Sequence, residues 1–417
     1  MSGDRSVGDE STRRTYLTYG GTLASSALLA GCLGGSGSDG GGDTATATPT
    51  GSADQSTATE TTEDDGPYSV TMSPVGTVEF DTVPADIFTV FAQYADMAVA
   101  LGRGDAVNAL YVPEMSGTTM NHYYHHLDGV SFDWEGLHDP LVDGLSKERL
   151  YELDSDVHLA DPAWASTQQN WDRGDVDEVG TQVAPWFGNF YSGTQTSPPE
   201  GYPEYEYYDL WELFGGVARV FREEARYEAL AAVHADLVER IQSDLPPEPE
   251  RPTAVRVSIA SDGESFYTYH LNKPGYWLAD TRPLGATDAF ADEDWGNLWG
   301  QVDFEAMVEA DPDVLLHLWG MTPSRSMAEV RQVLADHPVG RDLTAVQNDR
   351  VHAQGMRYQG PIMNLFQLEM TAKQLYPQQF GAWPTYEDGD PYPEIPEDEQ
   401  LFDRQRVADI VRGEVDG

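Results

Sequence analysis

Aromatic side chains and a few arginines are concentrated in segments that are predicted to follow β-strands. In open α/β sheets, ligands bind beyond the carboxyl ends of the strands, where such segments meet. Aromatic faces supply contact area and guanidinium groups grip carboxylate or catecholate oxygens, so this composition fits a large flat or chelate-shaped anion. The candidate ligand-binding residues are Tyr94, Trp164, Trp186, Tyr191, Tyr267, Trp277, Trp319, Arg325, Arg357 and Tyr358, with Phe91, Phe187 and Tyr269 beside them.

Arg325 and Arg357 stand out because the chain has only 24 basic residues. Arg357 lies between Gly355 and Gly360 in a predicted loop after a strand, which favours a contact with the ligand. The alternative for any single tryptophan or tyrosine is an ordinary place in the hydrophobic core.

A short unit that could bind a partner occurs twice. "LSKERLYELDSDVHL" (145–159) aligns without gaps with "VDFEAMVEADPDVLL" (302–316), so that Glu148 corresponds to Glu305 at a constant offset of 157 residues. Each glutamate lies two positions after a predicted helix cap, Ser146 or Asp303, where a carboxylate is stabilised by the helix dipole. Helix stability alone could account for the glutamates, but their equivalent places also predict two matching corners on the protein.

Three neighbouring histidines, His122, His125 and His126 in "MNHYYHHLDG", could indicate a zinc or manganese carrier. The sequence shows no further ligand for such a metal, so solvent-exposed histidines are the favoured interpretation. Motifs of the common enzyme classes are missing: no GxGxxG follows a predicted strand, and there is no P-loop lysine, GxSxG or cysteine nucleophile in the folded part. We therefore predict no catalysis and no resident cofactor.

The net charge of the chain limits the classes of partner that it can bind. With 71 acidic and 24 basic residues the formal net charge is −47, and the lysines are Lys147, Lys273 and Lys373 alone. Acidity spread in this way is typical of a halophilic protein, and it disfavours binding to nucleic acid or to an anionic membrane surface.

The single cysteine indicates a lipid anchor. Residues 1–32 contain Arg13 and Arg14, then a mildly apolar run, then "LAGC" ending at Cys32, and this resembles a twin-arginine lipoprotein signal. A transmembrane helix is the weaker alternative, because the apolar run is shorter than the ~20 residues that a span needs. Residues 33–67 contain Gly, Ser, Thr and Asp but little that could be buried, and they are predicted to form a disordered tether.

The elements that position these residues follow a repeated strand and helix pattern, typical of an α/β fold with mainly parallel sheets. Residues 68–221 are predicted to form one lobe and residues 251–395 another, with a tail helix within 396–417. A long helix over 222–245, ended by "PPEPERP", is predicted to join the lobes. "TQVAPWF" (181–187) is predicted to be a strand, and "FYTYHLNKPGYWLAD" (266–280) an aromatic loop.

The order of several segments, from "FDTVPADIFTVFAQYADMAVALG" and "LSKERLYELDSDVHLAD" through "VDFEAMVEADPDVLLH" to "HPVGRDLTAVQNDRVHAQG", carries a wider resemblance. Over roughly residues 70–380 the chain resembles the substrate-binding proteins of ABC importers for iron(III) siderophores, haem and vitamin B12. The resemblance implies two Rossmann-like lobes, a rigid joining helix that limits lobe rotation, and a ligand cleft between the lobes. It also implies docking to a permease dimer through Glu148 and Glu305.

The expected protein is thus a monomeric lipoprotein on the outer face of the cell membrane, anchored through Cys32 after export by the twin-arginine route. It is expected to capture an iron(III) siderophore and deliver it to an ABC permease. Cobalamin, haem or a free metal are the alternative ligands, and a surface lipoprotein without transport is the alternative function.

Overall fold

A computed structural model describes residues 66–261 and 263–415. The predicted signal over 1–32, its Cys32 and the predicted tether up to residue 65 lie outside the described residues, and these predictions stay untested. Within the described residues, no helix combines the length and the apolar character that crossing a membrane requires. From Pro67 onwards the chain packs as one compact unit.

The N-terminal lobe is built on a small parallel sheet flanked by helices. Its elements are β1 (Tyr68–Met72), β2 (Gly76–Phe80), β3 (Ile87–Thr89), α1 (Ala92–Ala100), β4 (Val107–Ala109), α2 (Pro113–Tyr124), α3 (Lys147–Leu153), β5 (Val157–Leu159), α4 (Pro162–Ala165), α5 (Arg173–Gln182) and α6 (Leu210–Phe221). The sheet order is β4-β3-β5, all parallel, while β1 and β2 form a separate antiparallel pair. The strand predicted over 181–187 is only an isolated bridge between His158 and Trp186, since Pro185 lacks the N–H that a ladder needs.

The C-terminal lobe contains the larger sheet. After α7 (Glu224–Asp244), its elements are β6 (Thr253–Ile259), β7 (Ser265–Tyr269), β8 (Thr287–Asp288), β9 (Trp299–Asp303), α8 (Phe304–Ala310), β10 (Val314–His317), α9 (Met327–Asp336), α10 (Thr344–Gln347), β11 (Val351–Ala353), α11 (Pro361–Leu375), α12 (Pro377–Phe380) and α13 (Arg404–Val411). The sheet order is β11-β10-β6-β7-β9, with β8 also paired to β6.

The predicted α/β fold with mainly parallel sheets is confirmed, with one local difference in the C-terminal lobe. β7 pairs antiparallel with both β6 and β9, so the start of the predicted aromatic loop over 266–280 is a strand instead. Alternation of Phe266 and Thr268 with Tyr267 and Tyr269 provides the period of two that a strand needs.

The repeated unit forms the same structure in both lobes. α3 and α8 each begin after a capping side chain, Ser146 or Asp303, that accepts a hydrogen bond from a backbone N–H in the first turn. Each helix has seven residues and ends at an aspartate in the left-handed conformation.

An aspartate just before the strand that follows each helix makes the same kind of contact in both copies. Asp156 accepts hydrogen bonds from the backbone N–H groups of Ala85 and Asp86 (2.8 and 3.1 Å), just before β3. Asp313 accepts one from Thr253 at the start of β6 (2.9 Å). β5 then pairs parallel with β3, and β10 pairs parallel with β6. The two corners predicted from the sequence are therefore structurally equivalent.

The predicted long helix over 222–245 is observed as α7, which begins two residues later and ends one residue earlier. Arg222 stands before it in the left-handed conformation (φ 54°), separating it from α6. Only Leu230, Leu237 and Ile241 of α7 are buried, so a single stripe of the helix packs on the body. The lobe boundaries inferred from the sequence stay predictions.

α11 is buried along its whole length and is held at its start by the N-terminal lobe. Asp96, on α1, accepts a hydrogen bond from the backbone N–H of Met363 (3.1 Å) and another from the Tyr124 hydroxyl. The side chain is fully buried, and this burial raises its pKa to about 7 against the opposing effect of the hydrogen bonds.

Asp96→Asn is expected to flatten the dependence of stability on pH. Because the folded pKa lies above the unfolded value, the contribution of Asp96 to stability is present below about pH 4 and is lost as the pH rises to about 7. Between pH 4 and 8 the wild-type protein should therefore lose more free energy of unfolding than the variant, as measured by urea titration. Equal losses in the two proteins would contradict this assignment.

Candidate ligand-binding site

Six rings from the two lobes meet between the sheets and form what we call the interlobe aromatic cluster. Phe91 of the N-terminal lobe stacks on Tyr358 of the C-terminal lobe, with ring centroids 4.6 Å apart and planes at 24°. Phe190 meets Trp277 edge to face at 5.7 Å. The members of the cluster are Phe91, Trp164, Phe190, Trp277, Trp319 and Tyr358.

The topology explains why these rings meet. Phe91 follows β3, Trp164 lies on α4 directly after β5, Trp319 follows β10 and Tyr358 lies in the loop after β11. All four therefore lie beyond the carboxyl ends of parallel strands, where the sequence predicted the site. Short α4 is fixed at its start by Asp161, and Trp319 adopts a positive φ of 67° that turns the chain directly after β10.

Arg357 lies among these rings, and no carboxylate of the described residues pairs with its charge. Its two terminal nitrogens donate hydrogen bonds to the hydroxyls of Tyr269 and Tyr358, each at 2.8 Å. The guanidinium carbon lies 4.2 Å from the ring centroid of Trp277 and 5.8 Å from that of Trp319. Only 7% of the residue is exposed, and none of the ion pairs between described residues includes it. A buried cation in this position attracts an anionic ligand.

Buried N–H groups without a partner point to the same ligand chemistry. Within the described residues, the indole N–H groups of Trp164 and Trp277 and the Nε–H of Arg357 are buried and make no hydrogen bond. Buried donors are normally paired, because an unpaired donor costs about 1–3 kcal/mol. Acceptor oxygens are the partners that these three donors lack.

Asp161 positions two members of the cluster. Its carboxylate accepts hydrogen bonds from the backbone N–H of Ala163 (2.7 Å), at the start of α4, and from that of Phe190 (2.7 Å). Tyr205 also donates its hydroxyl to it. Burial raises the pKa of Asp161 to about 6, although these hydrogen bonds oppose the shift. Asp161 thereby fixes the separation of Trp164 and Phe190.

The interlobe aromatic cluster fills the place where the sequence predicted a cleft. Besides the ring contacts, Gly193 of the N-terminal lobe lies against Gly275 and Trp277 so closely that a Cβ on Gly275 would stand 2.5 Å from the carbonyl oxygen of Gly193. Arg357, which lies behind these contacts, is only 7% exposed.

The structure brings together some of the predicted binding residues and places others elsewhere. Trp164, Trp277, Trp319, Arg357 and Tyr358 surround the site as described. Tyr191 lies at its edge, with its ring 5.7 Å from Phe190, and Tyr267 lies two positions along β7 from Tyr269, against Trp299.

Tyr94 and Trp186 are core residues of the N-terminal lobe. The Tyr94 hydroxyl accepts a hydrogen bond from the backbone N–H of Asn189 (2.7 Å), and the Trp186 indole donates to the carbonyl of Val176 (3.0 Å) while packing on His158. Phe187 is likewise fully buried in this lobe. Arg325 is partly buried after β10, and this burial lowers its pKa.

Two aromatic residues that the sequence analysis did not select belong to the site. Phe190 contacts Phe91, Trp164 and Trp277, and Tyr111 contacts Phe91 at 6.3 Å. The available signals were the "WFGNFY" run around Phe190 and the place of Tyr111 directly after the apolar segment that forms β4.

The three histidines near the end of α2 face different surroundings. The Nε2 atom of His126 lies 2.5 Å from the carbonyl oxygen of Tyr392, and its ring packs on Tyr392 and Phe366. Burial lowers the pKa of His122 and of His126. Among the described residues, no group of three or more His, Cys, Asp or Glu side chains is arranged to hold a metal ion.

Glu148 and Glu305 are both exposed in the first turn of their helices. Glu148 accepts a hydrogen bond from the hydroxyl of Ser146 (2.9 Å), and its own backbone N–H together with this hydroxyl lowers the pKa of its carboxylate. Glu148 is therefore ionised over a wide pH range.

Comparison with known proteins decides the family. Residues 91–355 match the family described as periplasmic binding protein, which is more than half of the chain. The chain belongs to the periplasmic binding protein family. This confirms the relationship that was predicted from the order of the sequence segments. No curated protein sequence matches the chain significantly.

Several solved structures of solute-binding proteins are similar to the chain. A periplasmic solute-binding protein from Mycobacterium smegmatis is 16% identical, with a TM-score of 0.50 over 75% of this chain and 98% of that chain. The Fe³⁺–Desferal-bound siderophore-binding protein FhuD from Vibrio cholerae is also 16% identical, with a TM-score of 0.47 over 70% and 97%. A protein of an Fe³⁺-hydroxamate transport system from Saccharomonospora viridis is 19% identical, with a TM-score of 0.47 over 73% and 96%.

Proposed function

We propose that this periplasmic binding protein captures an iron(III) siderophore outside the cytoplasm and delivers it to an ABC importer. The observation that carries the proposal is Arg357, a buried guanidinium that no carboxylate in the described part of the chain pairs with, surrounded by the interlobe aromatic cluster. Iron(III) chelates of the hydroxamate and catecholate classes present a ring of oxygen atoms and flat or apolar edges. These features match unpaired N–H donors on aromatic walls.

The chelate itself holds the iron in this proposal. The nearest surroundings of Arg357 supply guanidinium, indole N–H and tyrosine hydroxyl groups, while carboxylates and histidines are the usual protein ligands of metal ions. Binding is therefore recognition of a complete metal complex, with no chemistry on the ligand. Reversible capture fits a carrier that must release its cargo to a transporter.

Tryptophan fluorescence tests the ligand class directly, because Trp164, Trp277 and Trp319 surround the site. We expect saturable, tight quenching with one member of a panel of ferric hydroxamates and ferric catecholates, and much weaker effects of the iron-free chelators. Selective response to cyanocobalamin or haemin would change the ligand but keep the function. Response to Zn²⁺ or Mn²⁺ alone would indicate a free-metal carrier, and no response at all would support a lipoprotein without transport.

We further propose that Glu148 and Glu305 dock the protein on the two-fold permease dimer, and that Cys32 carries its lipid anchor. The support for docking is the equivalence of the two corners, since a symmetric partner offers two equivalent sites. Acidic groups on matching corners suit arginines on that partner.

The double variant Glu148→Ala/Glu305→Ala is expected to keep ligand affinity and to lose most stimulation of the transporter ATPase in a reconstituted system. The matched control is Glu152→Ala/Glu309→Ala, because these exposed glutamates lie one turn further along the same two helices and share the same offset. Equal effects of both variants would indicate a general charge effect. Loss of ligand binding in a folded double variant would contradict the docking assignment.

A further inference from the structure

The C-terminal segment, residues 381–415, crosses from one lobe to the other, and we call it the C-terminal strap. It leaves α12 after Phe380, passes over α9 and α11 of the C-terminal lobe, reaches the end of α2 in the N-terminal lobe and finishes with α13. The family match ends at residue 355, so the C-terminal strap lies outside the matched region.

Buried charge fastens the C-terminal strap to the C-terminal lobe. Glu369, on α11 and fully buried, accepts hydrogen bonds from the Tyr392 hydroxyl (2.8 Å), the Leu401 backbone N–H (2.6 Å) and the Arg404 guanidinium (2.8 Å). Asp388 accepts hydrogen bonds at the start of α9 from the backbone N–H of Met327 and the hydroxyl of Ser326, both at 2.7 Å.

The joining helix α7 adds further contacts to the C-terminal strap. Arg240 donates to the carbonyls of Gln400 (2.9 Å) and Leu401 (3.0 Å), and Arg226 donates to that of Val411 (2.8 Å).

The attachment to the N-terminal lobe consists of a buried contact at Tyr392 and an exposed one at Arg412. Tyr392 donates its backbone N–H to the carbonyl of His122 (3.0 Å) and holds the ring of His126 through its own carbonyl oxygen. Arg412 donates to the carbonyl of Asp128 and lies 3.8 Å from the carboxylate of the same residue, whose side chain is 86% exposed. Exposed pairs of this kind contribute only about 0–1 kcal/mol, less than a buried network of charged hydrogen bonds.

Tyr392 links the two attachments. Its side chain is bound to Glu369 of the C-terminal lobe, its backbone to α2 of the N-terminal lobe, and its ring packs on Tyr123 and Phe366, one from each side. If the lobes separate, the N-terminal attachment must stretch or release first, because its ion pair, Arg412–Asp128, is exposed whereas the Glu369–Arg404 pair is buried.

We propose that the C-terminal strap is an interlobe clamp that limits how far the lobes separate when the interlobe aromatic cluster opens. The lobes must part for a ligand to reach Arg357. The C-terminal strap is attached to both lobes and therefore resists their separation. Weakening its attachment to α2 allows wider opening without a change at the ligand site.

Pulsed electron paramagnetic resonance between spin labels on the two lobes tests the clamp. Val142→Cys and Val339→Cys give exposed labelling positions, one in each lobe, in a full-length protein that also carries Cys32→Ser. We expect a narrow distance distribution in this parent. The added changes His126→Ala/Arg412→Ala should broaden the distribution and shift it toward longer distances.

The matched control is Arg406→Ala. Arg406 also lies on α13, but among the described residues its guanidinium donates to carbonyls of the C-terminal strap itself, at Glu414 and Val415. This variant should reproduce the parent distribution. Arg412→Ala alone, which removes a partly exposed side chain, serves as a second variant if the double change prevents folding. A folded Arg412→Ala or double variant with the parent distribution, or an equal broadening in the Arg406→Ala control, would overturn the clamp.

Discussion

Arg357→Met is expected to abolish tight ligand binding while leaving the ligand-free protein at least as stable as the wild type. The guanidinium is buried and has no carboxylate partner within residues 66–261 and 263–415, so its charge destabilises the folded state until an anion binds. Methionine keeps the length and the apolar contacts of the side chain with Trp277 and removes the charge. The arginine at this position is thus required for ligand binding but lowers the stability of the ligand-free protein.

The size of the effect follows from the hydrogen bonds that are lost. A hydrogen bond to a charged group contributes about 1.5–3 kcal/mol, so loss of one or two weakens binding by roughly 10-fold to well over 100-fold. The measurement is a fluorescence titration with the ferric chelate that the wild-type protein binds, paired with urea unfolding of the ligand-free proteins.

Arg331→Met is the matched control for this variant. Arg331 is an exposed arginine on α9 whose Nε–H donates to the carbonyl of Val351 (3.2 Å), away from the interlobe aromatic cluster. It should bind the chelate like the wild type. An unchanged affinity in Arg357→Met would exclude Arg357 as the anion-binding group and remove the observation on which the proposed function rests.

Asp280→Asn is expected to give the largest loss of stability. Asp280 pairs with Arg256, and both side chains are almost completely buried below the loop that carries Arg357. Removing one charge leaves the other buried and unpaired, which typically costs about 3–5 kcal/mol. Urea unfolding at fixed salt measures this difference.

The same substitution is expected to weaken ligand binding. Gln354 accepts a hydrogen bond from Arg256 (2.9 Å) and Gln359 donates one to Asp280 (2.9 Å), and these two residues lie on either side of Arg357 in its loop. Loss of the Arg256–Asp280 pair is therefore expected to displace the loop that carries Arg357.

Two further variants separate the cost of an unpaired charge from a general loss of packing. Arg256→Met/Asp280→Leu should recover much of the stability, because an apolar pair of similar volume avoids the desolvation of both ions. The exposed pair Arg149–Glu152 is the surface counterpart, and Glu152→Gln should change stability by less than about 1 kcal/mol. If Asp280→Asn were no more harmful than Glu152→Gln, the buried pair would have no special role.

Local signals in the sequence were sufficient for much of the fold. The proline-rich stop after residue 245 and the absence of proline before it predicted α7 to within two residues at each end. Helix caps at Ser146 and Asp303 predicted the equivalent helices α3 and α8. Such features act within a few residues of chain, so they can be recognised without knowledge of tertiary contacts.

The ligand site depended on contacts between distant parts of the chain, and here the prediction was less complete. Arg357 bonds to Tyr269, 88 residues earlier, and nothing in the local sequence indicates this partner. Trp186 is predicted to lie in a strand over 181–187, but it forms only an isolated bridge and its ring packs inward on His158. Tertiary packing determines which aromatic side chains face the ligand. The local sequence determines only that an aromatic residue follows a strand.

The equivalent aspartates Asp156 and Asp313 make each copy of the repeated unit structurally self-contained. Each unit of about fifteen residues contains its own helix cap and its own turn. It also contains the carboxylate that accepts hydrogen bonds from backbone N–H groups at the first strand of its sheet. The unit is thus a portable module, and grafting one copy onto the site of the other should disturb only the residues that point into each core. Loops around this pair of modules can accordingly be exchanged without disturbing the modules themselves.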